Sequence, residues 1–203
     1  MRTTRTPYGL TGQIGAGKTY VGKLLTIHGC AIYNADEKAR ELLNTNVALR
    51  EEIIKLLGHE AFTQTGAYNR EYVARKIFST PPLRLALESL IHPAVFSDFT
   101  AWKEKCKTQH PFVFMESALL PRLDWHPHFR SIILITAPAK TRLARIIQRD
   151  NTTRERAEER LLAQPTDFDY YTVAHFVIEN SPRFNLENQL SQLIEILKLQ
   201  HAD

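Results

Sequence analysis

The residues best suited to chemistry in this chain stand together in one segment, GQIGAGKT at residues 12–19. It matches the phosphate-binding pattern G-x-x-x-x-G-K-[ST] at every fixed position. In this pattern the glycines bring backbone N–H groups close to a phosphate chain, the lysine reaches the outer phosphates, and the final hydroxyl binds Mg²⁺. We therefore predict that a nucleotide is bound by Gly12, Gln13, Ile14, Gly15, Ala16, Gly17, Lys18 and Thr19. Lys18 is also expected to be catalytic, and Thr19 to bind the metal.

The segments around this loop are those that the pattern requires. Residues 8–11 are short and apolar enough for a buried strand, and Val21, Leu24 and Leu25 share one face of a following helix. A strand, a glycine loop and a helix in this order place the loop N–H groups beside the positive end of the helix dipole. This order favours a phosphate site over a glycine-rich turn that matches by chance.

Two carboxylates follow or end predicted strands. Asp36 comes just after a strand at 31–33, in the first turn of a helix capped by Asn34, and Glu116 ends a strand at 111–116. In an open α/β sheet, ligands bind beyond the carboxyl ends of the strands, so Asp36 could face the phosphate loop. It could equally be a partner of the helix dipole, which is worth ~0.3–1 kcal/mol. Position alone leaves both alternatives open.

Further apolar runs at 131–136 and 175–179 bring the number of predicted strands to five, and a final helix is predicted over 185–199. Continuous apolar strands separated by helices predict an α/β fold with a five-stranded parallel sheet. After Gly58 the pattern indicates a mostly helical insertion. Its His92, beside Pro93, is of the kind that packs or caps more often than it binds a ligand.

A second unusual segment lies between the last two strands. Arg142, Arg145 and Arg149 are spaced by three and four residues, so they are expected to share one helix face. No acid is interleaved with them, and a phosphate-binding protein needs cations that close over transferring phosphoryl oxygens. A break at 150–153 precedes a second helix, whose arginines alternate with glutamates. For that second helix a solvated, salt-bridged surface is an equally good interpretation.

Composition narrows the choice of partner only in part. The net charge of +4 over 203 residues indicates an anionic partner, which could be nucleic acid, a membrane surface or a phosphorylated small molecule. Cys30 and Cys106 lack metal-ligand spacing and are interpreted as reduced thiols of a cytoplasmic protein. No apolar stretch is long enough to span a bilayer. Charge alone does not choose among these partners. With the kinase interpretation given below, we expect small-molecule partners, no nucleic acid and no membrane, and the oligomeric state stays open.

A phosphate loop is compatible with at least three classes of protein: a small-molecule kinase, a GTP-driven switch and an ATPase that does mechanical work on nucleic acid. The switch requires N-K-x-D and D-x-x-G motifs, and neither occurs in this sequence. The mechanical ATPase usually has a longer chain and a more acidic pair after its third strand. A kinase with a mobile arginine-bearing lid fits best.

The chain resembles the dephospho-CoA kinase family over nearly its whole length. The phosphate loop is generic, but the later motifs in this order are specific to the family. The matching segments are 11–19, 34–40, 70–78, 87–93, 145–150, 163–164 and 177–180. The resemblance implies a three-layer P-loop kinase fold with a helical acceptor-binding insertion and a helical lid. Residues 1–57, 93–141 and 166–203 would form the core, 58–92 the dephospho-CoA-binding region and 142–165 the lid.

The resemblance also implies a reaction and roles for single residues. ATP, with Mg²⁺, would donate its γ-phosphoryl group to the ribose 3′-hydroxyl of dephospho-CoA, the final step of coenzyme A synthesis. Asp36 would be the general base, Arg145 would stabilise the transferring group, Arg149 would assist from the lid, and Asn180 would lie near the adenine. The acceptor would contact Thr11, Asp36, Arg40, Arg70, His92 and Glu116.

The sequence departs from the family pattern at four places. Asn34 replaces the family's first acid, Gln13 replaces a loop glycine, Ala118 stands where a proline is usual after Glu116, and Ser181 replaces a glycine after Asn180. None of these changes removes a group that the chemistry requires. The alternatives are another P-loop small-molecule kinase, of nucleoside or nucleotide type, and a nucleic-acid-binding ATPase.

Overall fold

The structure, a computed structural model, describes residues 6–78, 80–106 and 108–201. The outermost residues of the predicted core, 1–5 and 202–203, lie outside the described residues. The chain divides into two compact units: the first runs to Tyr33 and resumes at Cys106, and the second is Asn34–Lys105. The predicted acceptor region, residues 58–92, falls inside the second unit, and its role stays a prediction.

Five strands form one sheet: β1 (Tyr8–Thr11), β2 (Ala31–Asn34), β3 (Val113–Glu116), β4 (Ile132–Thr136) and β5 (Phe176–Glu179). Their order is β2-β3-β1-β4-β5, with parallel pairing of β1 to β3, of β1 to β4 and of β4 to β5. The predicted α/β fold with a five-stranded parallel sheet is confirmed. Because β1, β3, β4 and β5 run in the same direction, the residues that follow them leave the sheet at one edge.

The helices begin and end largely where local sequence requires. Asn34 caps α2 by accepting the Glu37 N–H at 3.0 Å, and Asn151, in the left-handed region with φ 44°, ends α6. The predicted break at 150–153 is therefore confirmed. In the described residues no helix is both long and apolar enough to cross a membrane. The helices are α1 (Lys18–Ile27), α2 (Ala35–Thr45), α3 (Val47–Leu57), α4 (Arg70–Phe78), α5 (Pro81–Cys106), α6 (Ala139–Asp150), α7 (Arg154–Leu162), α8 (Asp167–Val173) and α9 (Leu186–His201).

In the first unit, helices cover both faces of the sheet. On one face, Leu10 of β1 and Ile133 of β4 pack in a buried cluster with α1 and α9. On the other, a Cβ at Gly9 would lie 2.8 Å from Leu120 Cδ1, so a larger residue there would require the buried Leu120 side chain to shift. The buried Tyr170 of α8 donates its hydroxyl to the Ala118 carbonyl at 2.8 Å. Burial on both faces explains the continuous apolar runs of the central strands.

The second unit is helical and has its own apolar cluster, which includes Ile53, Val73 and Leu87. The segment that follows Gly58 is closed by a β-bridge between Phe62 and Tyr68. Helix α5 continues through Pro93 to Cys106, so the expected segment boundary at 92/93 falls inside a helix. A proline costs a helix one backbone hydrogen bond. Buried residues on both sides of Pro93 fix α5 in its packing despite that loss.

The buried cysteine of the first unit leads to a prediction about thiol reactivity. Burial raises the pKa of Cys30 to about 12, and only the thiolate is reactive. At pH 8, far below that pKa, Cys30 is protonated and shielded, so we expect Ellman's reagent to leave it unmodified in the folded protein. In denaturant both cysteines should react. The Cys30→Ala variant should lack the thiol that appears only on unfolding, and rapid native labelling of Cys30 would contradict the prediction.

Candidate active site

The phosphate loop connects β1 to α1 and takes backbone angles that its glycines permit. Gly12 and Gly17 have φ of 147° and 94°. A Cβ at Gly12 would lie 2.2 Å from the Ile135 carbonyl oxygen, and a Cβ at Gly17 would lie 2.1 Å from Nδ2 of Asn180. Backbone angle and close packing both require glycine at these two positions.

Helix α1 begins at the loop without a side-chain cap. Its N-cap residue is Gly17, which has no side chain to cap the helix, and no acidic residue lies in the first turn. The first helical bond runs from the Val21 N–H to the Gly17 carbonyl at 3.0 Å, and an α-helix leaves the N–H groups before it without intrahelical acceptors. Together with the positive end of the helix dipole, this start suits a phosphate group.

The side chain of Lys18 folds back over the beginning of the loop. Its ammonium group donates to the Gly12 carbonyl at 2.8 Å and lies 3.5 Å from the Gln13 carbonyl. These acceptors are neutral oxygens, which a charged phosphate oxygen can replace as a stronger acceptor. The lysine is therefore held at the place where the motif uses it.

Thr19 and Glu116 meet beside the loop. The Thr19 hydroxyl donates to Glu116 Oε1 at 2.8 Å, and Glu116 is buried at the carboxyl end of β3. A hydroxyl and a carboxylate are oxygen ligands, and Mg²⁺ typically takes one or two protein oxygens and completes its shell with substrate phosphates and water. This donor set fits Mg²⁺. No cluster of three or more His, Cys, Asp or Glu side chains suited to a metal occurs within residues 6–78, 80–106 and 108–201.

Thr11 is the last residue of β1 and is fully buried. Its hydroxyl donates to the Ser117 carbonyl at 2.8 Å, and the Ser117 N–H donates to the Leu10 carbonyl at 3.0 Å. These bonds join β1 to the segment after β3 and so fix the loop relative to Glu116. The predicted contact between Thr11 and the acceptor stays a prediction.

Two further predicted residues come to the loop from distant segments. Asn180, just after β5, is buried and donates its side-chain amide to the Ala16 carbonyl at 2.8 Å. The guanidinium group of Arg145, on α6, donates to the carbonyls of Gly15 at 3.2 Å, Ala16 at 3.3 Å and Asn180 at 3.2 Å. The loop, α6 and the end of β5 are therefore joined around these two side chains.

The other two arginines of α6 lie on the same continuous helix as Arg145, as their spacing predicts, but they occupy different environments. Arg142 is buried, donates Nε to the Ala137 carbonyl at 3.1 Å and lies 3.6 Å from Asp167 of α8. Arg149 is exposed and makes two hydrogen bonds to Asp150, at 2.7 and 3.0 Å. The bond from Arg149 holds the pKa of Asp150 below its ordinary value. Arg142 packs against the fold, whereas Arg149 stays at the surface.

The end of the lid also touches the loop. The Ile14 N–H donates to Gln164 Oε1 at 2.5 Å, and the Gln13 amide donates to the Pro165 carbonyl at 3.0 Å. Position 164 belongs to a motif of the family, but the sequence contains no local signal for a contact across 150 residues. Gln164 is thus a site residue that sequence reasoning did not identify, as is Asp167, the partner of Arg142.

A cavity of about 190 Å³ lies beside the loop. Its walls come from Gln13 and Ala16 of the loop, the end of β4, the start of α6, and α8 with Tyr170. Oε1 of Gln13 is buried and has no hydrogen-bond partner within the described residues. Because two loop residues line it, this cavity is part of the same site.

The remaining predicted residues belong to the second unit. Asp36 lies in the first turn of α2 and is exposed; within the described residues its carboxylate makes no hydrogen bond or ion pair. Arg40 and Arg70 are also exposed, at the middle of α2 and the start of α4. His92 is half-buried in α5, and burial lowers its pKa, although the charge of Glu88 opposes this effect. Its ring is therefore neutral at pH 7.

Replacing Gly17 by alanine is expected to lower ATP affinity about tenfold, or 1.4 kcal/mol, and to cost about 1–3 kcal/mol of stability. The alanine must adopt φ 94° and displace the Asn180 amide. Calorimetric titration and thermal melting measure the two effects. Gly22→Ala is the matched control, because a Cβ there meets its nearest neighbour, Ile32, at 3.4 Å. Unchanged ATP affinity in Gly17→Ala would contradict the loop assignment.

Comparison with known proteins agrees with this geometry. The family model described as Dephospho-CoA kinase matches residues 7–185. A dephospho-CoA kinase of Bacteroides fragilis is 31% identical over 189 residues, covering 93% of this chain and 91% of that protein. A crystal structure from Thermus thermophilus superposes with a TM-score of 0.77 at 29% identity, covering 96% and 98% of the two chains.

A solved dephospho-CoA kinase from Campylobacter jejuni shares the fold, with a TM-score of 0.59 at 20% identity over 97% of both chains. The family match extends from β1 to the segment after β5 and includes the whole phosphate loop. The chain belongs to the dephospho-CoA kinase family.

Proposed function

We propose that this protein transfers the γ-phosphoryl group of ATP to the ribose 3′-hydroxyl of dephospho-CoA, giving coenzyme A and ADP. One observation carries the proposal: an uncapped helix start, the Lys18 ammonium and the Thr19–Glu116 pair surround a single glycine loop. This set of groups suits a triphosphate with its metal ion. The family match supplies the identity of the acceptor.

The donor site is proposed to use the loop backbone more than its side chains. The first turn of α1 would bind the phosphates through N–H groups, and Lys18 would leave its carbonyl acceptors for the outer phosphates. The Ile14 N–H is already bound by Gln164, so it is not among the proposed phosphate donors. Asn180, buried against the loop at the Ala16 carbonyl, is proposed to lie near the adenine of ATP.

Thr19 and Glu116 are proposed to hold Mg²⁺ next to the phosphates. When bound, the ion would neutralise charge that develops on the phosphate oxygens during transfer. The hydrogen bond between these two side chains holds their oxygens close enough together to bind the same ion. Burial of Glu116 favours a site in which its charge is balanced by a cation.

Asp36 is proposed to be the general base. As the 3′-hydroxyl oxygen attacks the γ-phosphorus, the bond to the β-phosphate oxygen breaks, ADP leaves with its electron pair, and the hydroxyl proton passes to the Asp36 carboxylate. An exposed carboxylate that makes no hydrogen bond or ion pair within the part of the chain that the structure describes suits this role. Arg40, Arg70 and His92 would line the acceptor region.

The lid arginines are proposed to act on the phosphates. Arg145 is already at the loop, where a small movement would bring its guanidinium group from carbonyl oxygens to phosphoryl oxygens. Arg149 is exposed and would have to exchange its Asp150 partner for a phosphate. Both changes replace one oxygen acceptor by another that carries more charge.

The test is a phosphorylation assay of the purified protein with ATP and Mg²⁺ against dephospho-CoA, adenosine, shikimate and nucleoside monophosphates, with ADP release as the readout. We expect sustained turnover with dephospho-CoA alone and no stimulation by DNA or RNA at moderate salt. Preferential turnover with a nucleoside monophosphate or shikimate would assign another small-molecule kinase. Stimulation by nucleic acid would favour the ATPase alternative suggested by the net charge.

A further inference from the structure

Two glutamine side chains join the end of the lid to the beginning of the phosphate loop. Gln164 accepts the Ile14 N–H at 2.5 Å, and Gln13 donates to the Pro165 carbonyl at 3.0 Å. The contacts connect residues 150 and 152 positions apart in the chain. We call this pair of hydrogen bonds the glutamine tether.

The other end of the lid rests on the same loop. Arg145 donates to the carbonyls of Gly15 and Ala16. The α6 backbone is also close, because a Cβ at Gly15 would lie 2.6 Å from the Arg142 carbonyl oxygen. Both ends of the segment that contains α6 and α7 are therefore anchored on the phosphate loop.

Between these ends, α6 and α7 are linked by charge. The Asp150 carboxylate accepts one bond at each oxygen from Arg149 of α6, and its Oδ2 also accepts a bond from Arg160 of α7 at 2.5 Å. Of these bonds, the one from Arg160 joins α7 to α6 across the short turn. Movement at either end of the hairpin is thus transmitted to its arginines.

The tether is not required by the general loop pattern. Positions 13 and 14 are free in that pattern, and many loops of this kind need no long side chain there. Apolar contacts would be enough to pack the lid against the loop. An amide that accepts a backbone N–H, in contrast, fixes both the direction and the distance of the contact. The amides are also neutral, so they can stand near phosphates without repelling them.

We propose that Gln13 and Gln164 are positioning residues that couple occupancy of the phosphate loop to the position of the lid. ATP that orders the loop then also orders α6 and α7 and brings the lid arginines over the phosphates. The coupling arises because a ligand that favours one loop conformation favours every contact made in that conformation. The proposal rests on the proposed function for its catalytic consequence, although not for ATP-dependent ordering itself.

Hydrogen–deuterium exchange tests the coupling without turnover. A non-hydrolysable ATP analogue with Mg²⁺ should slow exchange in the peptide that covers 154–162 of the parent protein. In Gln164→Ala the analogue should still protect the loop, but protection of 154–162 should fall about fivefold, the equilibrium equivalent of one hydrogen bond. Gln13→Ala should act in the same direction. Undiminished lid protection in both variants would overturn the proposal.

Two further variants separate positioning from a loss of stability. Gln164→Met keeps the length of the side chain without an acceptor for the Ile14 N–H, so it should lose lid protection as Gln164→Ala does while preserving the packing, which answers the case in which Gln164→Ala folds poorly. Gln148→Ala changes an exposed glutamine of α6 and should behave like the parent. Loss of lid protection in Gln148→Ala equal to that in Gln164→Ala would contradict a specific tether.

Steady-state kinetics add a second measurement, which should not change if Gln164 served only the stability of the fold. With dephospho-CoA, Gln164→Ala should lower kcat about fivefold while leaving ATP affinity nearly unchanged, and the ratio of ATP hydrolysis to phosphoryl transfer should rise, because the lid excludes water less well. If the parent does not phosphorylate dephospho-CoA, the proposed function is wrong. The hydrogen–deuterium exchange result would still test the glutamine tether. If the parent is active and Gln164→Ala shows the same exchange and the same kinetics as the parent, the glutamine tether is refuted while the proposed function stands.

Discussion

Replacing Lys18 by alanine is expected to lower kcat for phosphoryl transfer by at least about 10²–10³-fold, the usual cost of removing one preorganised charge-stabilising donor. In the structure the ammonium group donates to the Gly12 carbonyl at 2.8 Å and lies 3.5 Å from the Gln13 carbonyl. The larger effect of Lys18 is expected when phosphate oxygens replace these carbonyl oxygens as acceptors of its hydrogen bonds. Steady-state kinetics with ATP and dephospho-CoA measure the loss.

The fold should survive this change. Losing hydrogen bonds to loop carbonyls is expected to cost no more than about 1–2 kcal/mol of stability, which thermal melting can detect. Lys23→Ala, which removes an exposed lysine from the same helix, is the matched control and should keep near-parent turnover. Near-parent turnover in Lys18→Ala itself would mean that the loop does not bind the transferring phosphates.

Asp36→Asn is expected to lower kcat by about 10²–10⁴-fold, the range for a positioned general base, because the amide cannot accept the hydroxyl proton. ATP affinity should persist, since the proposed donor groups lie elsewhere. Asn34 stands two residues away in place of a second acid and serves as the helix cap. No neighbouring carboxylate at position 34 can substitute, so the loss should lie towards the upper end of the range.

The adjacent Glu37 makes this test discriminating. Asp36 and Glu37 both lie in the first turn of α2, so a role in the helix dipole predicts similar small losses of up to ~1 kcal/mol in stability for Asp36→Asn and Glu37→Gln. The general-base role predicts a large kinetic loss for Asp36→Asn alone. Turnover of Asp36→Asn within a few-fold of Glu37→Gln would remove Asp36 from the catalytic set.

The local sequence pattern was sufficient to predict the phosphate loop and the strand and helix on either side of it. The strand at 8–11, the glycine loop and α1 follow from residues adjacent in sequence, and the cap of α2 by Asn34 needs only the three residues after it. The five strands were readable because strands covered on both faces are continuously apolar. Their ends shifted by one or two residues, as at β3, which begins at Val113 rather than at 111.

Contacts between distant segments could not be predicted in the same way. The spacing of Arg142 and Arg145 predicted their shared helix face but not their partners: α8 supplies Asp167 to the first, and the loop carbonyls bind the second. The sequence also gave no reason for Gln164 to meet Ile14. Each of these contacts depends on which surfaces the folded chain brings together. Helical periodicity within one segment carries no information about that.

The central claim, transfer from ATP to the ribose 3′-hydroxyl of dephospho-CoA, is tested most directly by following the γ-phosphate into the product. ATP labelled at the γ-position is incubated with Mg²⁺, dephospho-CoA and the purified protein, and the product is analysed by mass spectrometry and ³¹P NMR. We predict one labelled phosphomonoester at the 3′-position for each ADP released, and none with Lys18→Ala. Label found only as inorganic phosphate, or on a different hydroxyl, would contradict the account.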